Sequence, residues 1–119
     1  MPWTSFEEIE AWQVARKLNQ RIWHVLQSGA FGKDFALADQ INRSAGSTMD
    51  NVAEGFDGGS NAEFARFLSY TQRSCSEVRS QLIRALDRHH IDQDSFEELT
   101  ALTNEIYKKS GGLIKHLRK

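Results

Sequence analysis

Proline and cysteine are almost absent from this chain of 119 residues, each occurring once. The single proline, Pro2, precedes every helical pattern, so no residue inside the chain forbids a long helix. Cys75 has no second cysteine with which to form an intrachain disulfide, as is typical of proteins in reducing compartments. These two absences favour long helices in a cytoplasmic protein.

Long apolar runs and a recognisable targeting segment are also missing. No stretch approaches the roughly 20 apolar residues that cross a bilayer, and the N-terminus lacks the basic and apolar regions of a secretory signal. We therefore expect a cytoplasmic protein with no membrane partner. A chain of 119 residues with 39% hydrophobic residues has room for one core, which predicts a single domain over residues 1–119.

Charge is nearly balanced, with 15 basic and 16 acidic residues, so there is no global electrostatic reason to bind nucleic acid. The C-terminal segment is the exception, because after Ile106 it contains five cations and no side-chain carboxylate. These cations either complement the negative end of a helix or contact phosphate groups. The candidate nucleic-acid contacts are Arg43, Lys108, Lys109, Lys115, Arg118 and Lys119.

Apolar residues recur at helical spacing in four windows, each opened by capping residues. The windows predict helices over about residues 5–28, 34–55, 60–89 and 95–118. Thr4 or Ser5, with Glu7 and Glu8, is placed to cap the first helix, and Asp94 or Ser95 to cap the fourth. Phe35 and Phe56 stand at the ends of the second apolar stripe, and the pair His89 and His90 marks the end of the third helix. Asp34 is placed to cap the second helix and Gly55 to end it, while Gly111 and Gly112 predict a kink or a tight contact in the fourth. Short connections predict an all-α, antiparallel up-down-up-down four-helix bundle.

The second helix carries a polar stripe beside its apolar one, with members spaced by 4, 3, 4 and 3 residues. The members are Gln40, Ser44, Ser47, Asn51 and Glu54. We interpret this stripe as a surface that hydrogen-bonds to a neighbouring helix or subunit, because small residues make a contact surface rather than a pocket. A ligand or nucleic-acid site is the alternative. The candidate oligomer or helix-contact residues are Gln40, Arg43, Ser44, Gly46, Ser47, Asn51, Glu54 and Gly55.

Tryptophan occurs three times near the N-terminus. Trp12 belongs to the apolar stripe of the first helix, whereas Trp23 lies about 100° from Ile22 and Trp3 precedes the helix. Aromatic residues outside a monomer core are favoured at interfaces, although the edge of the core would also accommodate them.

The run from Gln40 to Gly55, with the segments 63–68 and 74–77, resembles a bacterial four-helix-bundle family whose first members were found encoded in intervening sequences of large-subunit ribosomal RNA. In that family the second helix typically begins Gln-Ile-Arg-Arg and closes Asn-Ile-Ala-Glu-Gly. Here Asn42 stands where the first Arg is usual, Asp50 adds a negative charge, and Arg73 replaces a common Gly. The lower positive charge disfavours RNA binding by this helix.

The resemblance implies a self-assembling protein, since family members form ring-shaped homopentamers. One branch, strongly basic unlike this chain, is the accessory protein of the reverse transcriptase in diversity-generating retroelements. We therefore predict a non-enzymatic scaffold or adaptor that forms a homo-oligomer, most simply a pentamer, with an unidentified protein or weakly bound RNA or DNA as further partners. The alternative is a nucleic-acid-binding accessory protein of a ribosomal RNA insert or a reverse transcriptase.

A metal-dependent enzyme is the remote alternative. A di-metal carboxylate site in a bundle needs Glu-x-x-His on inward faces of two helices, and that motif does not occur here. Cys75 is in register with the apolar stripe, and only the nearby Arg73 and Arg79 argue for a reactive thiol. We predict no catalytic residue, no metal and no cofactor.

Overall fold

Four α-helices account for most of the chain. The computed structural model describes residues 2–119, in which the helices are α1 (Glu10–Leu26), α2 (Phe35–Asp57), α3 (Asn61–Asp87) and α4 (Gln93–Leu117). Consecutive helices pack against each other, and α4 closes the bundle against α1. The rod measures 44 × 20 × 18 Å. No strand occurs in residues 2–119, so the all-α four-helix prediction is confirmed.

Cross-helix ion pairs give the relative direction of the helices. Between α1 and α4, Lys109 Nζ lies 2.7 Å from Glu10 Oε2 and Arg21 Nη2 lies 2.6 Å from Glu98 Oε2. Moving up α1 from residue 10 to residue 21 therefore moves down α4 from residue 109 to residue 98, which makes the two helices antiparallel. The short connections impose the same relation on consecutive helices.

The core consists of the apolar stripes that the helical spacing predicts. Trp12 is buried with the stripe of α1, as expected, and polar Thr48, Thr71 and Thr103 lie in the core with their hydroxyl groups bonded to backbone carbonyls. Burying one such Leu or Ile side chain stabilises the fold by about 1.5–3 kcal/mol. The largest fully buried side chains are Phe31, Ile9, Leu18, Ile22, Leu37, Ile41, Leu68, Leu82, Leu99, Ile106, Val52 and Val78.

The start of the first helix differs from the prediction. Ser5 and Glu8 form the expected capping box, but it closes a short 3-10 helix over Phe6–Glu8. Ile9 then adopts an extended conformation and is fully buried, and α1 begins one residue later. Because the extended residue re-aims the chain, the N-terminal segment folds across the end of the bundle instead of continuing the helix.

Asp34 precedes α2, but its side chain does not cap that helix. Its Oδ2 instead lies 2.9 Å from His90 Nε2 and 2.8 Å from Arg88 Nη1, both just after α3. The hydrogen bond from His90 and then that from Arg88 lower the pKa of Asp34 to about 2. The carboxylate therefore ties the beginning of α2 to the end of α3.

The end of α3 is formed by a non-glycine residue in the left-handed conformation. His89 has φ of 58°, and its N–H bonds the carbonyl of Leu86 while the N–H of His90 bonds that of Ala85. This pairing is the Schellman motif, in which glycine is usual. The predicted histidine pair thus does end the helix, through backbone geometry.

Two glycine predictions have different outcomes. Gly55 does not end α2, which continues to Asp57 with Gly58 as its cap. Gly111 makes the tight contact that was one of two expectations for α4, because a Cβ there would lie 3.0 Å from Gln72 Nε2.

α4 begins earlier than expected, since Asp92 rather than Asp94 or Ser95 caps it by accepting from the N–H of Ser95.

Candidate functional site

A polar groove runs along the surface between α2 and α3. Its volume is about 540 Å³, and every lining side chain is charged, an amide or a hydroxyl. Three of the eight lining residues belong to the predicted polar stripe of α2, and a fourth, Arg43, lies beside it. That stripe was expected to make a contact surface rather than a pocket. The lining residues are Gln40, Arg43, Ser44, Ser47, Glu77, Ser80, Gln81 and Arg84.

The floor of the groove is a pair of buried polar side chains. Gln81 Nε2 donates to Ser44 Oγ across 3.1 Å, joining α3 to α2. Gln81 is only 8% exposed, yet its Oε1 has no hydrogen-bond partner in residues 2–119. Turning the amide over would pair Oε1 with Ser44 and leave Nε2 alone, so either orientation leaves one polar atom unsatisfied. A buried polar atom without a partner costs about 1–3 kcal/mol.

The charged side chains at the rim of the groove differ in whether they form an ion pair. Arg84 Nη1 donates to Gln40 Oε1 across 3.0 Å, a neutral acceptor. Arg43 pairs with Asp39, one turn earlier on α2, at 3.0 Å. Across the described chain, 2–119, neither Arg84 nor Glu77 has an oppositely charged partner. The rim therefore offers one cation and one anion to an incoming group.

The remaining candidates on α2 are distributed over several environments. Gly46 is half-buried with open space where a Cβ would stand, whereas a Cβ on Gly55 would lie 2.7 Å from Phe67 Cβ. Asn51 donates to the carbonyl of Ser47 within its own helix, and Glu54 is exposed. The structure therefore brings only part of the predicted set together, and its role in assembly stays a prediction.

The C-terminal cations differ in their pairing. Lys109 Nζ lies 2.7 Å from Glu10 and 3.8 Å from Glu105, and the bond to Glu10 is the main cause that raises the pKa of Lys109. The other four cations are exposed and have no ion pair in residues 2–119. They are Lys108, Lys115, Arg118 and Lys119.

Sequence reasoning missed the α3 half of the groove and one exposed aromatic residue. Glu77, Gln81 and Arg84 have the same 4 and 3 spacing as the α2 stripe, and that repetition was the available signal. Phe35 was expected at the end of the apolar stripe but is 79% exposed, while Trp23 is 60% exposed, as its position beside the core predicts.

The side chains considered as metal ligands or as a nucleophile do not form a site in the described residues, 2–119. No group of three or more His, Cys, Asp or Glu side chains with metal-site geometry occurs in residues 2–119. Cys75 is fully buried, and burial raises the pKa of its thiol to about 12, the opposite of what a nucleophile requires. None of the helices between residues 2 and 119 is long and apolar enough to cross a membrane.

Comparison with known proteins places these features in a family. Residues 7–112 match the model of the 23S rRNA-intervening sequence protein family. A crystal structure of a protein of unknown function from the S23 ribosomal protein family of Bacteroides thetaiotaomicron VPI-5482 is similar, with a TM-score of 0.81 and 22% identity over 88% of this chain and 95% of that one. That likeness supports the fold alone, and no curated protein shows a match. The family match covers most of the chain, including the whole groove, and the chain therefore belongs to the 23S rRNA-intervening sequence protein family.

Proposed function

We propose that this chain is a non-enzymatic scaffold that assembles with copies of itself through exposed aromatic residues where α1 meets α2. The observation that carries this proposal is the exposure of Trp23 and Phe35, at 60% and 79% of their surface. Aromatic side chains offer about 150–250 Å² each for burial and are enriched at protein interfaces.

The positions of the two residues support a shared surface. Asn19 donates to the carbonyl of Ala45 on α2, and Trp23 follows Asn19 by four residues, so Trp23 lies on the α2 side of α1. Phe35 is the first residue of α2, at the same end of the bundle. Gly46, next to Ala45, leaves open space into which a neighbouring chain can approach.

A ring is the proposed form of the assembly. Cyclic rings use heterologous contacts, in which one patch on each subunit meets a different patch on the next. The aromatic surface serves as one such patch. Five subunits is the number that the family resemblance implies, and five chains of 13.6 kDa give a mass of about 68 kDa.

Replacing both Trp23 and Phe35 by glutamate should disassemble the ring. Burying two carboxylates without partners costs far more than an interface of this kind gains, so the mass should fall from about 68 kDa to one chain of 13.6 kDa. Light scattering at micromolar concentration measures the mass, and circular dichroism checks that the variant stays helical.

The matched control is Tyr107→Glu, which puts the same charge on an aromatic residue of α4 that is 44% exposed. Its mass should equal that of the unchanged protein. An unchanged protein that runs as a monomer would reject self-assembly, and loss of the ring in the control alone would place the interface on α4.

Nucleic-acid binding is a second candidate, favoured by the four cations near the end of α4 that have no ion pair within residues 2–119. In a ring these cations repeat in every subunit, which concentrates positive charge if the tails share a face. We expect weak binding without sequence preference that disappears as salt rises, because few phosphates are contacted.

Changing Lys108, Lys115, Arg118 and Lys119 to glutamine should abolish binding to a fluorescent single-stranded RNA at about 50 mM salt. The control changes four exposed cations elsewhere to glutamine, namely Arg16, Lys17, Lys33 and Arg79, and should retain binding. Equal loss in both variants would indicate that only net charge matters. Binding that survives physiological salt in the tail variant would place the site on another surface.

A further inference from the structure

The floor of the α2–α3 groove is incomplete within one chain. Gln81 is more than nine-tenths buried and lines the groove, yet one polar atom of its amide has no partner in residues 2–119. Above it, the rim presents Glu77 and Arg84, neither of which forms an ion pair in the described chain. The unpaired amide atom is itself shielded from solvent, so a group that enters the groove meets the two rim charges, one of each sign.

The order of these residues along α3 is what identifies the occupant. Glu77 and Arg84 stand at the two ends of the lining segment, seven residues and two helical turns apart, with Ser80 and Gln81 midway between them. An antiparallel copy of the same segment reverses this order. Its Arg84 then faces Glu77, its Glu77 faces Arg84, and its Ser80 faces Gln81.

We propose that the α2–α3 groove is a two-fold contact surface that receives α3 of a second copy of this chain. The Glu77–Arg84 ion pair forms twice, and the Ser80 hydroxyl of each copy lies over the Gln81 amide of the other. A two-fold contact is self-complementary in this manner, with residue i meeting residue j and j meeting i.

The lining argues against an apolar or aromatic occupant. The groove is bordered by polar and charged side chains, whereas pockets for small organic ligands are lined mainly by aliphatic and aromatic residues. The polar surface of another helix, which carries both donors and acceptors, matches it. The contact lies on a different surface from Trp23 and Phe35 and does not depend on the ring proposed above.

Charge exchange between positions 77 and 84 tests the contact. The background is Trp23→Glu/Phe35→Glu, in which the groove contact alone should give a mass of two chains, about 27 kDa, at high concentration and low salt. Adding Glu77→Arg sets two arginine pairs against each other, and adding Arg84→Glu does the same with glutamates. Each change should weaken pairing by about tenfold or more.

Restoration of the charge pairs makes the test specific. The exchanged variant Glu77→Arg/Arg84→Glu should pair again, since each introduced arginine then faces an introduced glutamate of the other copy. An equimolar mixture of the two single-change variants should also pair, because one partner carries two arginines and the other two glutamates. Analytical ultracentrifugation measures the mass of each sample.

Three results would overturn the proposal. A background protein that stays monomeric at about 100 μM would show that the groove does not receive a second copy. Equal pairing in all charge variants would move any dimer contact to another surface. If the background protein has a mass above two chains, and Glu77→Arg or Arg84→Glu alone abolishes that mass, the groove belongs to a ring contact and not to a two-fold one. The ring is tested with Trp23→Glu/Phe35→Glu and Tyr107→Glu in a protein whose groove is unchanged. Failure of the ring therefore does not decide the test of the groove.

Discussion

Replacing Gly55 by alanine is expected to destabilise the bundle by about 1–3 kcal/mol, although alanine is the better helix former. An added Cβ would lie 2.7 Å from Phe67 Cβ and 3.3 Å from the carbonyl oxygen of Phe64. Both atoms belong to or adjoin the α3 backbone, so rotation of a side chain does not relieve the clash. The helices must separate where α2 and α3 cross, and they would lose packing on both sides of it.

Gly46→Ala is the matched control, because it makes the same substitution on the same helix. Both substitutions are made in the Trp23→Glu/Phe35→Glu background, which removes the proposed ring contact near Gly46. A Cβ at position 46 meets no atom of its own chain within 4 Å, so alanine there should stabilise the protein by up to about 1 kcal/mol. Urea unfolding followed by circular dichroism gives both free energies. Opposite signs are the expected result, and a Gly55→Ala variant as stable as the unchanged protein would show that α2 and α3 can move apart without cost.

The helices were predictable because their signals are local. Apolar spacing fixes which face of each helix is buried, and residues such as Ser60, which accepts from the N–H of Glu63, fix where α3 begins. The errors lie at helix ends where two local solutions compete. Ser5 and Glu8 cap a 3-10 helix rather than α1, and Asp92 caps α4 in place of the nearby Asp94.

The groove was only half predictable because it depends on the alignment of two helices. The α2 stripe was visible as a pattern, but nothing in one helix states which residues of another face it. Ser44 meets Gln81 because the turn at residues 58–60 and the close contact at Gly55 set the register of α3 against α2. Asp34 fixes the other end through Arg88 and His90, which a local capping rule does not anticipate.

The two proposed contact surfaces divide the exterior of α2 by chemistry. Towards α1, exposed Trp23 and Phe35 offer apolar area, whose burial gives affinity with little directional preference. Towards α3, the groove offers rim charges of both signs, which favour one register of an incoming helix and penalise others. An assembly that uses both surfaces gains its stability from the first and its geometry from the second.

Cys75 should react with thiol reagents about a thousandfold or more slowly in the folded protein than in the unfolded chain, since a stable small domain opens only rarely. Burial also raises the pKa of its thiol to about 12, so the closed state holds little of the reactive thiolate. Full burial adds a steric barrier, because a reagent reaches the sulfur only when the bundle opens. Labelling with a chromogenic disulfide, with and without urea, measures the ratio of the two rates.

A neighbouring position supplies the control for this protection. The variant Cys75→Ala/Ser76→Cys moves the thiol by one residue to an exposed site on the same helix, where it should react nearly as fast as in urea. If Cys75 itself reacts at that speed in the folded protein, its side chain is reachable from solvent and the nucleophile hypothesis returns. Slow reaction at Cys75 with fast reaction at position 76 would leave the thiol as a small apolar group that packs α3 into the core.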